Sequence, residues 1–166
     1  LIDPAGYGLP ELVIGDPQIL TPGQHDDQWH AFYHGFSHDS LGWHTWFFHS
    51  VSEDGLKWKE VFREEGEVEI QYIFSDGDRW IQYYAATTAA TGDADLKKKY
   101  GVVIRARTTT DFVNWSKPVD LIMPDLPKER EGSSVEARNP CVIQLPDGRY
   151  RMYYSAGMVY LDDAGY

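Results

Sequence analysis

The sequence predicts an all-β fold, namely a β-propeller built from four-stranded blades. Three observations carry this prediction. A turn motif occurs twice at a fixed offset, short runs rich in β-branched and aromatic residues recur around it, and helical patterning is nearly absent. Repeats of roughly 20 to 50 residues or a little more are typical of solenoids, propellers and arrays. Four short strands in each repeat favour propeller blades among these.

The turn motif occupies residues 52–58 and 109–115. In both copies a hydroxyl residue is followed by Asp two positions later and by Trp six positions later, and the copies are 57 residues apart. Hydroxyl and carboxylate side chains can hydrogen-bond their own backbone and so fix a tight turn. The Trp that follows buries a large apolar surface beside that turn.

The strand-like runs divide the chain into blades at residues 15–64 and 67–124, with an incomplete blade at residues 135–166. Each full unit has three runs before its Trp and a fourth after it, at 59–62 and 118–122. The best helical candidate is the segment 95–100, which falls at the end of a long connection at 87–99. We therefore interpret this connection as an excursion on one face of the propeller.

The length suits about two and a half blades, whereas propellers close with roughly four to eight. We expect the chain to be a fragment of about half of a five-bladed ring. The alternative is a homodimer in which two copies complete the ring, because an open arc leaves edge strands with unpaired backbone groups.

Composition and charge narrow the classes of partner. The chain carries 26 acidic and 15 basic residues, a net charge of −11, which argues against nucleic acid. No run approaches the roughly 20 apolar residues of a membrane span, so no membrane partner is expected. Cys141 is the single cysteine, which excludes an internal disulfide, and we expect it to be a buried thiol. The cellular compartment stays open.

The six histidines all fall in the first blade, but none has a zinc-like spacing with Cys or Asp partners. His30 and His34 lie four residues apart on a predicted strand, which is too far to share a metal ion. We expect no metal and no cofactor, and we assign His34 to the lining of a cavity.

Three motifs resemble the five-bladed propeller glycoside hydrolases of family 43 and the related families 32 and 68. They are Asp16-Pro17 at the start of an inner strand, the hydroxyl-Asp-Trp turn of each blade, and the run from Asp147 to Ser155. The resemblance covers residues 15–155. It implies a carbohydrate substrate, and hydrolysis by a pair of carboxyl groups that flank the glycosidic bond.

Inner strands of successive blades converge on the propeller axis, so equivalent residues of the repeats should face one cavity. Aligning the repeats gives two columns of equivalent residues: Asp16, Ile70 and Asn139 in one, and Gly15, Glu69 and Arg138 in the other. We predict that Asp16 and Glu69 are the catalytic carboxylates. The substrate-binding candidates are Arg138, Asn139, Glu136, His34 and Trp43.

The family places a base Asp, a pKa-modulating Asp and an acid Glu in its first three blades. If the chain begins at the second blade, the resemblance makes Asp16 the modulator and Glu69 the acid, and the base lies outside the chain. The family's acid stands in Glu-Gly-Pro, whereas this chain has Glu69-Ile70-Gln71. Glu136 is the reserve candidate for that role.

Structural roles compete with some of these assignments. Asp16 before Pro17 is a common way to begin a strand, and Glu69 could belong to the solvated face of an alternating strand. Trp43 could belong to the core of the blade rather than to a sugar platform.

The function expected from the resemblance is hydrolysis of arabinoside, xyloside or fructoside linkages. Two alternatives stay open. One is a mannoside phosphorylase of the same superfamily, in which Arg138 would bind phosphate. The other is a propeller that binds glycans without cleaving them.

Overall fold

The computed structural model describes residues 2, 4–130 and 134–158, which contain ten strands and one short α-helix. The strands are β1 (Val13–Leu20), β2 (Trp29–Asp39), β3 (Gly42–Ser52), β4 (Lys59–Glu65), β5 (Val68–Ser75), β6 (Trp80–Thr87), β7 (Val102–Thr109), β8 (Val119–Ile122), β9 (Ser134–Gln144) and β10 (Tyr150–Met158). The helix α1 (Ala94–Lys99) lies between β6 and β7, close to the best helical candidate of the sequence, and Asp93 caps its N-terminus. Single-turn 3₁₀ segments occur at Pro4–Tyr7 and Pro127–Arg130.

The strands form antiparallel blades. The first sheet has the order β1-β2-β3-β4, and β5, β6, β7 and β8 pair in the same succession. The hairpin β9-β10 begins a third blade and is joined to β7 by one parallel pair, Val102 with Glu136. The prediction of an all-β propeller is therefore confirmed. Residues 159–166 of the predicted third blade lie outside the described residues.

The two turn motifs have the same hydrogen bonds. The amide of Gly55 donates to Ser52 Oγ at 2.9 Å, and the amide of Phe112 donates to Thr109 Oγ1 at 3.0 Å. Gly55 and Phe112 also share a left-handed backbone, with φ of 71° and 59°. The repeat in sequence is thus a repeat in local structure.

The main core fills the space between the first two blades. It is largely aromatic and contains Phe32, Phe47, Trp80, Tyr84 and Phe112. Burying each such ring contributes roughly 1.5–3 kcal/mol to stability. A second cluster on the other face of the first blade contains Tyr33 and Phe48, which are covered by the N-terminal segment at residues 7–12.

Polar links fix the angle between the first two blades. The buried guanidinium of Arg107 lies 2.7 Å from Glu64 of β4, donates to Gln82 Oε1 at 2.6 Å and stacks 4.6 Å above the Trp115 ring. Nearer the axis, the side chain of Gln18 pairs with the backbone of Ile73 at the open edge of β5. Its Oε1 accepts a hydrogen bond from the Ile73 N–H, and its Nε2 donates one to the Ile73 carbonyl.

All three inner strands carry a bulge at the same place. Asp16, Ile70 and Asn139 have left-handed φ values of 48°, 27° and 54°. The pairing register shifts at each of these positions in β1, β5 and β9. These are the three residues that the sequence alignment of the repeats puts in one column. A bulge bends its strand and re-aims the side chains next to it.

Cys141 differs from the expectation of a buried thiol, because its side chain is exposed. Successive residues of a strand point to opposite faces. The neighbouring Val142 occupies the buried face of β9, so Cys141 lies on the other face.

Candidate functional site

The predicted catalytic residue Glu69 lies on β5 immediately before the bulge at Ile70. Its side chain is only 7% exposed. One carboxylate oxygen accepts a hydrogen bond from Arg138 Nη1 at 2.6 Å, and the other accepts from the Thr87 hydroxyl. The interpretation of Glu69 as part of a solvated strand face is therefore wrong, since an inner strand of a propeller is enclosed by its neighbouring blades.

Arg138, the equivalent residue of the next blade, lies between two carboxylates. Besides Glu69 it contacts Glu136, whose Oε2 accepts from Arg138 Nε at 2.7 Å. Burial alone would lower the pKa of Arg138, but hydrogen bonds and charges from Glu136 and Glu69 outweigh it and raise that pKa. The guanidinium thus pairs with two buried acids, Glu136 on its own strand and Glu69 across the boundary between two blades.

Asp16 and His34 form a second pair beside this network. His34 Nδ1 lies 3.6 Å from Asp16 Oδ2, and the imidazole is buried whereas the carboxylate is 59% exposed. Within the described part of the chain, His34 Nδ1 has no hydrogen-bond partner. Such a spacing is too long for a direct hydrogen bond and suits a bridging hydroxyl group or water.

The charges of both predicted carboxylates affect the pKa of His34. Burial is the main cause that lowers its pKa; the charges of Asp16 and Glu69 oppose this effect, and Arg138 adds to it. The bulges of β1 and β5, which carry these two carboxylates, are adjacent, because Gln71 Nε2 donates to the backbone carbonyl of Asp16 at 3.3 Å. The imidazole is neutral at neutral pH.

An open cleft of about 1110 Å³ leads to this network. Its lining includes Glu69, Arg138 and Thr87, together with residues of the hairpin between β2 and β3. Asp16 is not among the residues that line the cleft, and its carboxylate lies beside His34.

The remaining predicted binding residues have different surroundings. Trp43 lines the cleft and is 75% exposed, so it does not belong to the blade core. Glu136 is buried behind Arg138 and does not line the cleft. Asn139 is exposed at its bulge and donates to Ser155 Oγ at 3.2 Å, within its own blade.

Sequence reasoning did not single out three residues of the cleft: Thr87, His44 and Glu65. His44 Nδ1 contacts Glu65 at 2.6 Å, and its Nε2 contacts Asp39 at 3.0 Å. Hydrogen bonds to Glu65, then to Asp39, raise the pKa of His44. The only sequence feature that could have indicated a role for His44 is its position next to Trp43 on a hairpin. Its contact with Glu65 depends on strand pairing, which the sequence does not show.

Chemically, this arrangement offers carboxylates, hydroxyl groups and an exposed indole, and its cations are already paired. Such a set suits a neutral ligand rich in hydroxyl groups.

Among the described residues, no three of His, Cys, Asp and Glu are grouped so as to hold a metal ion. No helix of the described part is long and apolar enough to cross a membrane.

Neither a protein-family model nor a curated protein significantly matches the sequence. Solved structures do match the fold. An α-L-arabinofuranosidase from Fusarium graminearum, bound to an iminosugar inhibitor, is 18% identical with a TM-score of 0.58 over 95% of this chain and 43% of its own. An α-L-arabinanase from Penicillium chrysogenum, complexed with arabinobiose, is 20% identical with a TM-score of 0.57 over 90% of this chain and 42% of its own.

A third match is an N-acetylgalactosamine deacetylase from F. plautii in complex with blood group B trisaccharide. It is 14% identical, with a TM-score of 0.57, over 85% of this chain and 47% of its own. The chain therefore has the β-propeller fold found in these glycan-acting enzymes, and it spans less than half of their length.

Proposed function

We propose that this chain supplies part of the active-site face of a glycoside hydrolase. The substrate class is a neutral glycan with arabinoside, xyloside or fructoside linkages. The observation that carries the proposal is the adjacency of the bulges of β1 and β5, which carry Asp16 and Glu69, beside an open cleft. Hydrolysis of a glycosidic bond needs an acid and a base or nucleophile at one site. Glu69 is the acid of this pair in our proposal, and the base lies in another blade of the ring.

The two carboxylates differ in a way that suits different tasks. Glu69 is buried and accepts hydrogen bonds on both oxygens, so it is held in one orientation. Asp16 is largely exposed and has an unpartnered imidazole nitrogen at 3.6 Å within the described residues. We assign to Glu69 the exchange of a proton with the leaving oxygen, once a substrate displaces one of its hydrogen-bond donors. We assign to Asp16 and His34 the binding of a substrate hydroxyl group.

The paired state of Arg138 argues against the phosphorylase alternative. Phosphate recognition needs a guanidinium with free donors. Here Nε donates to Glu136 and Nη1 donates to Glu69. A phosphate ion would also meet the negative charge of these two acids.

The test is an activity assay on the full product of the reading frame. The substrates are aryl α-L-arabinofuranoside, aryl β-D-xyloside and sucrose, each with and without inorganic phosphate, and saccharide binding is measured in parallel. The proposal predicts hydrolysis of at least one of them at a rate that phosphate does not change. Binding without turnover would select the non-catalytic glycan-binding propeller, and turnover that requires phosphate would select the phosphorylase.

A further inference from the structure

The hairpin that joins β2 and β3 extends beyond the rest of its sheet. Pairing of β1 with β2 ends at Phe36, and pairing of β3 with β4 ends at Trp46. The hairpin itself continues to the pair Asp39 and Gly42. Its last rows are therefore two-stranded, and no neighbouring strand of the sheet fixes their position beside the cleft.

His44 ties these last rows to the end of β4. Its Nδ1 lies 2.6 Å from Glu65 Oε1, and its Nε2 lies 3.0 Å from Asp39 Oδ1. An ionised carboxylate only accepts hydrogen bonds, so both ring nitrogens must donate and the ring is an imidazolium. Asp39 Oδ1 also accepts from the Leu41 N–H at 2.7 Å, inside the turn of the hairpin. The contact therefore runs from the tip of the hairpin to the edge of the cleft, which His44 and Glu65 both line.

Backbone hydrogen bonds also hold the hairpin. The His38 N–H donates to the Pro10 carbonyl at 3.3 Å, and the Gly66 N–H donates to the Thr45 carbonyl at 3.0 Å. Neither bond involves a group that titrates, so both persist when the pH changes. The contacts of His44 are different in this respect, because they depend on a proton of the ring.

The charged groups that act on His44 are Glu65 on β4 and Asp39 on its own hairpin. Hydrogen bonds to Glu65, and then to Asp39, raise the pKa of His44 above its ordinary value of 6.5. Stability from a group with a raised pKa is complete below the unfolded value and is lost as the pH rises through the folded value. A neutral imidazole donates from one nitrogen only, so its other nitrogen then turns a lone pair towards a carboxylate. One of the two contacts is lost in that state.

We infer that His44 is a positioning residue: the contact Asp39–His44–Glu65, here called the hairpin clamp, holds the hairpin beside the cleft and releases it when the ring loses a proton. For its effect on the reaction the inference rests on the proposed function, because Glu69 lines the same cleft. It adds a regulation of that site by pH. The cleft keeps its shape while His44 is protonated, and its hairpin side becomes mobile when His44 is neutral.

The first measurement is hydrogen–deuterium exchange of residues 37–46 in the full reading-frame product. Exchange is followed between about pH 6 and about pH 9.5 and is corrected for the intrinsic effect of pH on amide exchange. The variants are His44→Gln, which has no ring proton to lose, and the matched control His38→Gln. His38 is 43% exposed on the same hairpin and lies 3.8 Å from Glu11, outside the clamp.

Wild type and His38→Gln should lose protection in this segment by roughly two- to fivefold as the pH rises, which is the size expected for one exposed ion pair. His44→Gln should be less protected at pH 6 and should show no such change. Protection of the wild type that is independent of pH would overturn the clamp. The same loss in His44→Gln would also overturn it.

The second measurement is kcat/KM on the best glycoside substrate, taken at each pH as the ratio of wild type to His44→Gln. Titration of Glu69 affects both proteins equally and cancels from this ratio. The ratio should be roughly two- to fivefold at pH 6 and fall towards one at about pH 9.5. A ratio that does not vary with pH would overturn the positioning role. Wild type that hydrolyses none of the glycosides would overturn the proposed function and this role, whereas the exchange measurement would still decide the clamp.

Discussion

Arg138 donates to Glu69 across 2.6 Å and so joins the inner strand of the third blade to that of the second. The two residues occupy equivalent positions in the repeats, each directly before a bulge residue with left-handed φ. Equivalent positions in successive blades of a propeller are neighbours around the axis, and here the neighbouring side chains have opposite charge. The contact therefore both closes a boundary between blades and fixes the orientation of the carboxylate at the base of the cleft.

Replacing Arg138 with Met should destabilise the fold strongly. The substitution keeps the length of the side chain but leaves Glu69 and Glu136 buried without their cation. Breaking a buried ion pair by removing one partner costs about 3–5 kcal/mol. Urea denaturation of wild type and Arg138→Met measures this loss.

The matched control for that measurement is Arg149→Met. Arg149 pairs with Asp147 at 2.7 Å, but both side chains are at least half exposed. An exposed pair contributes about 0–1 kcal/mol. Equal losses in the two variants would show that the contact of Arg138 with its acids is no more than a surface ion pair.

Ile70→Asn should stabilise the protein although it removes apolar surface. Ile70 has φ of 27°, a left-handed conformation that a β-branched residue adopts only under strain. The equivalent residues of the other inner strands are Asp16 and Asn139, which belong to the types that tolerate this conformation. Relief of the strain is expected to add about 1 kcal/mol to the free energy of unfolding. A loss of similar size on thermal or urea unfolding would refute the strained bulge at this position.

Acid should destabilise the fold through His49. This residue is 3% exposed, and His30 Nδ1 lies 2.9 Å from its Nε2. Burial, and next electrostatic effects of His30 and His25, lower the pKa of His49 from 6.5 to about 3, while Asp26 opposes this shift. Below pH 6.5 the unfolded chain therefore binds a proton that the folded chain does not bind. The stability contributed by neutral His49 is complete above that pH and falls by about 1.4 kcal/mol for each pH unit down to about pH 3.

The measurement is the free energy of unfolding between pH 6 and pH 4, in wild type and His49→Gln. Other acidic groups contribute equally in both proteins to the slope of the free energy of unfolding against pH. The two slopes should therefore differ by the binding of about one proton, which is His49's own contribution. Phe32→Leu is the control, because Phe32 stacks on His49 at 4.6 Å but does not titrate. Phe32→Leu should lower the free energy of unfolding by the same amount at every pH. Parallel slopes for wild type and His49→Gln would contradict a neutral buried imidazole.

The parts of the fold that follow from the sequence are those fixed by neighbours along the chain. In each turn motif a hydroxyl group and a carboxylate bond amides two or three residues away, so the pattern of residue types is enough to predict the turn. The alignment of Asp16, Ile70 and Asn139 also follows from the sequence, because each stands at the same offset within a repeated strand.

The contacts that cannot be predicted from the sequence are those that depend on how one strand or hairpin packs against another. Glu69 is followed two residues later by polar Gln71, which is typical of a solvated strand face, yet it is buried because Arg138, 69 residues away, supplies its counter-charge. The contact of His44 with Glu65 depends likewise on the register between β3 and β4. No pattern of residue types along the chain encodes such distances.

The most direct test of the central claim is hydrolysis of the best glycoside substrate by Glu69→Gln and Asp16→Asn in the full reading-frame product. Both substitutions preserve shape and remove a carboxylate, and Asp78→Asn, on an exposed turn of the second blade, is the control. We predict that kcat falls by roughly a hundredfold or more in Glu69→Gln, falls less in Asp16→Asn because an amide can still bond a substrate hydroxyl group, and stays at the wild-type value in the control. Wild-type turnover by Glu69→Gln and Asp16→Asn would contradict the claim that these two residues act in one active site.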